Sequence, residues 1–383
     1  LMKLLKIRHY GLIKIILMFL AIFIALKIRK NYSSNILKLV ITELTLLLFV
    51  MGVAVALAST AYPNLGANAF TLIESLTGYP EPINFTWKYA LTNLAIEPFT
   101  LTIGLITLFS YYFGVYKLFA RGDSWPISRT LSWSLGILLG IYVTNSMLGR
   151  YAIFMFSAHM IVHMLLAMLV PMFLPLGAPV SLLLRALDSS NSSKNSVTYT
   201  RSLREWIVVI INSKFSYRVS SPIFTFLNFV AGTWILYLTP LLTILMQSHL
   251  GHLLMYAHFV ITGYAFFWLI IGIDPSPRKI PDFARLALIF GAAGFHGIFG
   301  FLIYSFDNPI GGGWFYKIIP TWSLDHLADQ KLGGGIAWAT GELFSLLVLI
   351  IFIFQWIKKD KKLAKQVTDK EINDYNDYLK SIS

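Results

Sequence analysis

Nine apolar stretches punctuate this chain, each close to the roughly 20 residues that a helix needs to cross the hydrocarbon of a bilayer. They cover residues 11–26, 37–58, 93–116, 130–148, 152–175, 222–246, 251–272, 283–306 and 333–357. Within lipid no water can satisfy the backbone, so segments of this kind must close their hydrogen bonds internally as helices. The expected fold is therefore an all-α polytopic membrane protein, a helix bundle of about nine transmembrane spans. The first stretch is short and requires Lys14 to reach out of it along its aliphatic stem. Composition agrees: 56% of residues are hydrophobic and 13% charged, against about 25% charged in soluble domains.

The distribution of basic residues sets an orientation. With nine spans and the C-terminus in the cytoplasm, 23 of the 31 lysines and arginines fall on the cytoplasmic side, including seven lysines after residue 357. This accounts for the net charge of +13 without any nucleic acid, and the lipid bilayer is the expected surroundings. The misfit is the N-terminal stretch, where Lys3, Lys6 and Arg8 are placed outside. That stretch lacks a small-x-small cleavage site, and Lys27, Arg29 and Lys30 end the apolar run, so an anchor is favoured over a secretory signal. Residues 61–92 read as an outer loop, 188–200 as a polar linker, 201–218 as an interfacial segment, and 358–383 as a basic cytoplasmic tail.

The chain has no cysteine. Disulfides, thiolate metal sites and thiol nucleophiles are excluded, leaving Met for a soft metal and His for a borderline one. Five of the eight histidines, His159, His163, His252, His258 and His296, lie within apolar stretches, all in the outer half of the bilayer when the chain is threaded as above. A polar side chain at that depth marks a helix contact or a functional site. His159 and His163 are spaced i, i+4 and share a helix face, at depths of roughly 12 and 18 Å by helical rise. The intervening sequence, HMIVH, lacks the glutamate of a zinc hydrolase. Glu342 falls at similar depth, with His249, His326, Asp325 and Asp329 in the outer loops above. Met147, Met155, Met160, Met164, Met168, Met172 and Met255 crowd the same region. Thioether and imidazole together suit Cu(I), although Met is also an ordinary packing residue. For Glu43 and Glu97 a structural role is favoured. Asp274, before Pro275, reads as a turn residue and is left out of the metal set.

FSAHMIVHMLLAMLVPMFLPLGAPVSLLLRAL (156–187) resembles the signature of the bacterial CtaG family of the caa-type oxidase assembly class. SPIFTFLNFVAGTWILYLTPLL (221–242), HLLMYAHFVITGYAFFWLIIGIDPSPR (252–278), FHGIFGFLIYSF (295–306) and DQKLGGGIAWATGELFSLL (329–347) follow in the family's order. The resemblance covers seven spans, residues 93–357. Residues 1–60, with two further spans, resemble the end of a copper-resistance CopD-type domain whose greater part is missing. The resemblance implies a non-enzymatic role in maturing a haem–copper cytochrome c oxidase in the bacterial plasma membrane. The implied partners are the oxidase subunits and a copper ion. It also marks His159, His163, His252, His258, His296, Asp329 and Glu342 as the implied metal set. Two other classes stay open: a transporter of copper or another cation, and a haem-bearing electron-transfer protein that uses membrane histidines as axial ligands.

Overall fold

The computed structural model describes residues 72–187 and 202–382, apart from 279, 319, 321, 323 and 324. The two spans expected at 11–26 and 37–58, with the CopD-like segment they belong to, lie outside the described residues. Those described form an all-helical bundle with no strand among them. Two short helices, α1 (Leu72–Thr77) and α2 (Trp87–Thr92), precede the first long one. Helix α3 (Pro98–Ala120) and α4 (Ile127–Asn145) are joined by a short turn, and a single turn, α5 (Met147–Tyr151), follows. The next span is broken into α6 (Phe156–Met164), a wide turn at Leu165–Leu169, α7 (Val170–Leu176) and α8 (Pro179–Ala186). Beyond the linker come α9 (Leu203–Ile211), α10 (Lys214–Val219), α11 (Pro222–Leu238), α12 (Leu241–Met246), α13 (His249–Ile271), α14 (Asp282–Ser305), α15 (Trp314–Lys317) and α16 (His326–Ile382).

Six of the described helices are long and apolar enough to cross a membrane. They correspond to six of the seven expected spans from residue 93 onward. The seventh, expected as 222–246, is a 17-residue helix that stops at Leu238. Pro240 explains the break: it offers no backbone donor, and its ring pushes the preceding residue out of the helical region. Thr239 accordingly adopts an extended conformation with φ −122° and ψ 167°.

Burial ranks the spans. In the most apolar window of the broken span 156–186, 72% of residues are buried, against 17% for α3, so the first is the central element and the second a flank. Its break has a local cause. Pro171 cannot donate to the Ala167 carbonyl four residues back, and the helix widens into a single turn of π-helix immediately before it. Such turns occur frequently at functional sites. Gly263 of α13 packs against that freed carbonyl and the Pro171 ring, and a Cβ there would lie 2.7 Å from Pro171 Cγ.

Two of the helical starts along this broken span, those of α6 and α8, are fixed by carboxylates from distant parts of the chain. Asp274 accepts from the backbone N–H of Val180 (3.0 Å) and Ser181 (2.8 Å) at the first turn of α8. The turn reading of Asp274 thus gives way to a cap on another helix, whose preceding residue, Ala178, sits in the left-handed region at φ 48°. Asp329 treats α6 in the same way. Helix α16 continues well past the apolar stretch to Ile382, and residues 358–378 are exposed throughout. The run after Trp356 contains no Gly or Pro, so nothing in it breaks the helix.

Replacing Gly263 by Val drives branched carbons into α7. We expect a loss of about 1–3 kcal/mol, the usual cost of overpacking, seen as a lowered thermal midpoint of the detergent-solubilised protein. Gly294 faces open space, and Gly294→Ala leaves the midpoint at or above that of the native chain.

Candidate metal centre

The N-terminus of α6 is where the site begins. In lipid its leading N–H groups have no water to turn to, and an unsatisfied buried donor costs about 1–3 kcal/mol. Asp329, on α16, supplies the acceptor. Its Oδ2 takes the Phe156 N–H at 2.6 Å, and Oδ1 takes the Ser157 N–H at 3.3 Å together with the Ser157 hydroxyl. The carboxylate also complements the positive end of the helix dipole. With the start of the helix fixed, the rotational phase of His159 and His163 is fixed as well.

Both rings point into the bundle. Their centroids are 3.9 Å apart, and His252 of α13 lies 5.9 Å from the first and 6.3 Å from the second. All three side chains are buried. Each Nε2 is buried without any hydrogen-bond partner, and one ring nitrogen from each of the three lies within 4.8 Å of the others. Buried polar atoms are rarely left unpaired, and three rings gathered this closely, each with an unpartnered nitrogen, form an arrangement that a shared ion would satisfy.

The opposite nitrogens show how two of the rings are oriented. His159 Nδ1 is 3.0 Å from the Ala152 carbonyl. A carbonyl only accepts, so Nδ1 carries the proton and Nε2 presents its lone pair. His163 Nδ1 is 2.8 Å from the Tyr237 hydroxyl; when Nε2 acts as a ligand, Nδ1–H donates to that oxygen. Partners of this kind fix tautomer and ring angle in metal sites. The walls are aromatic: Tyr237 and Phe315 edge onto His159, Phe259 lies 4.6 Å from His163, and Tyr256 lies 4.4 Å from His252.

The remaining expected residues are placed elsewhere. His258, six residues after His252, is turned about 240° around α13 by the helical period of 3.6; it is exposed and packs its Nε2 edge against Gly232 of α11. His296 is buried, but its Nδ1–H donates to Ala292 at 2.9 Å and its ring leans on Phe229. Two helices, not three, therefore bring histidines together. Asp329 spends both oxygens on the α6 cap. Glu342 lies on an exposed flank of α16, accepting from Trp338 Nε1 at 2.5 Å. Met160, Met164, Met168, Met172 and Met255 are buried in the core, while Met147 and Met155 are partly so.

Next to His252 is a group that the sequence reading did not connect. His249 Nε2 pairs with Glu97 Oε1 at 3.3 Å, and its Nδ1 is 3.2 Å from the Tyr79 hydroxyl. The Arg150 guanidinium stacks 3.3 Å above the Tyr79 ring. Glu97 also caps α3, accepting from Phe99 and Thr100. Burial alone would raise its carboxyl pKa, but the bonds from His249, Thr100 and Phe99 outweigh that and hold it below the ordinary value. The structural role expected for Glu97 is thus present, joined to a histidine one turn from the trio. The i, i+3 spacing of His249 and His252 was the available signal.

Residues 109–359 match the cytochrome c oxidase caa3 assembly factor family, Caa3_CtaG. The chain belongs to this family. Within it, uncharacterised proteins of Mycobacterium bovis and Mycobacterium tuberculosis are each 33% identical over 329 residues, covering 84% of this chain and 49% of the relative. A Mycobacterium leprae protein is 31% identical over 343 residues, covering 86% and 50%. The chain spans about half the length of the curated relatives it matches. No solved structure matches it. The family match begins inside α3, so the CopD-like reading of residues 1–60 gains no support from it. It includes α6, α13 and Asp329, and hence the three converging imidazoles.

Because Asp329 acts as a cap, Asp329→Ala should destabilise the protein by about 0.5–2 kcal/mol, with Asp329→Asn milder because it keeps one acceptor oxygen. Thermal unfolding measures both. Asp329→Asn should leave metal stoichiometry unchanged, which distinguishes a cap from a ligand.

Proposed function

We propose that the chain is a non-catalytic factor in the maturation of a haem–copper cytochrome c oxidase, holding one copper ion between His159, His163 and His252 and passing it to the oxidase subunits. The observation that carries this reading is the gathering of three buried histidines that bring one ring nitrogen each within 4.8 Å of the others and that each leave Nε2 without a hydrogen-bond partner. Bonds of about 2.0–2.1 Å place the nitrogens of a tetrahedral centre ~3.3 Å apart, so from within 4.8 Å the rings need close in by at most ~1.5 Å. Three histidines with one free position form a donor set from which an ion can be released to another protein.

The ligand set favours the cuprous state. The imidazoles are neutral and no carboxylate is available, so the ion's charge stays uncompensated in an apolar surround. The Born cost rises as the square of the charge, and a monovalent ion incurs about a quarter of the penalty of a divalent one. Imidazole is compatible with copper in either state.

The position of the site fits delivery at the outer face. Helix α16 runs from Asp329, at the trio, to a lysine-rich end that includes Lys358, Lys359, Lys361 and Lys362. Between Asp329 and Lys359 a helix rises ~45 Å, more than the hydrocarbon thickness of about 30 Å. With the lysines held in the cytoplasm by the positive-inside rule, the trio lies in the outer half of a bacterial plasma membrane. Transport across the bundle is less well supported, because inward of the trio Phe259, Phe266, Phe229 and Phe267 fill the core. A haem held between His163 and His258 or His296 is less well supported, because His258 is exposed against Gly232 and His296 bonds Ala292 and packs on Phe229.

The test is the copper content of the purified protein. The His159→Ala, His163→Ala double variant should lose bound copper while keeping its thermal midpoint, and cells relying on it should lose oxidase activity. His258→Ala and His296→Ala should retain copper. Native stoichiometry in the double variant would overturn the assignment.

A further inference from the structure

Adjoining the trio is a small polar chamber of about 30 Å³, lined by Tyr79, Glu97, Arg150, His249, His252 and Tyr256 among others. His252 belongs to both the chamber and the trio. His249 lies one turn earlier on the same face of α13, ~4.5 Å along the axis, with its side chain half exposed. His249 Nε2 and Glu97 Oε1 are 3.3 Å apart, close to the separation that a tetrahedral ion imposes on a nitrogen and an oxygen ligand bound at about 2.0–2.2 Å. An imidazole and a carboxylate at ion-binding separation thus stand at the open side of a chamber whose inner wall is a trio ligand with an orphaned, buried nitrogen.

Resting on the trio reading above, we propose that His249 and Glu97 form an entry site that takes up the cuprous ion first and hands it to His252. The transfer is ligand exchange without redox. As the ion binds, the single ring proton of neutral His249 moves from Nε2 to Nδ1 through water at the mouth. Tyr79, which donates to Nδ1 in the metal-free state, then accepts from it. The bonds from the ion to His249 Nε2 and Glu97 Oε1 break as those to His252, His159 and His163 form, and the proton returns to Nε2. The arrangement gives the movement a direction. Arg150, fixed over Tyr79 at 3.3 Å, puts a permanent positive charge on the chamber wall, and Glu97 already shares its oxygens with two backbone donors. Both weaken retention at the entry site, whereas the trio offers three otherwise unused lone pairs.

The experiment uses the full chain in detergent, stripped of metal and mixed with Cu(I) held by a coloured bicinchoninate complex. The loss of colour gives the loading rate, and the end point gives copper per protein. His249→Ala, at a half-exposed position, should slow loading roughly tenfold or more, on the scale seen when supporting groups around metal sites are removed. Glu97→Gln, which keeps an oxygen to cap α3, should also slow it. Both should reach the native end point. His252→Ala should instead lower the end point. Native loading rates in both entry variants would overturn the entry site while leaving the trio intact. A lowered end point in His249→Ala would make His249 a resident ligand and also overturn it. A native protein that takes up no copper would sink the trio reading, and the entry site with it.

Discussion

The carboxylate of Asp329 on the first turn of α6 is the contact on which the site depends. It joins residues 173 positions apart in sequence and meets an obligation the bilayer creates, since the leading N–H groups of a helix cannot find water there. Setting where α6 starts also sets where its inward face points, and so where His159 and His163 meet. Asp274 does the same for α8. Two of the three helical pieces of the central span, α6 and α8, are thus each started by an acidic side chain from another helix or loop, with a wide turn and α7 between them. Helix α13 can approach that turn because Gly263 offers no side chain to obstruct the freed carbonyl of Ala167. That approach brings α13 alongside α6, and one turn from its start α13 carries His252.

Packing around the trio completes the geometry. Tyr237 reaches from α11 to α6 and is fully buried, holding His163 by its hydroxyl and edging both α6 histidines with its ring. The turn α15 closes the site from above: Phe315 contacts His159, and Trp314 donates to the Ile153 carbonyl at 3.0 Å. Aromatic walls exclude water and keep the dielectric low. An uncoordinated lone pair inside them is therefore costly, and ligation by an ion removes that cost.

Much of this was legible from residue spacing. Apolar length gave the helices, and the i, i+4 pair on α6 needed only the helical period to be placed on one face. His252 was placed with that pair by depth and by the family resemblance, but that it alone of the remaining set meets them was not legible, because helix-to-helix proximity depends on Gly263 and the turn at Leu165–Leu169. His258 and His296 lie apart from the trio for different reasons. Depth and the family resemblance put His258 with the others, while the six-residue offset turned it to another face. His296 has the right depth and is buried, yet it bonds its own helix at Ala292 and packs against phenylalanines. For Asp329 and Asp274 the residue type was informative and the role was not, because a cap across 173 or 94 positions leaves no local pattern. Pro240 did leave one, and it accounts for the early end of α11.

The composition of the site bears on why a carrier would use histidine here. Each of the three imidazoles adds no charge, so the pocket can exist in the apolar bundle without an ion, at the cost of three unpaired nitrogens rather than a buried carboxylate. A carboxylate in the trio would bind copper more tightly and would leave a bare charge once the ion departed, which in this surround is several kilocalories worse than an unpaired imidazole. The acids instead lie where they are neutralised continuously, Asp329 and Asp274 on helix starts and Glu97 on the start of α3 beside His249. Charge is thereby kept at the rim and on the scaffold, and the centre is left neutral. In the proposed role this separation makes loading and unloading comparable in difficulty, which a protein that must surrender its ion requires.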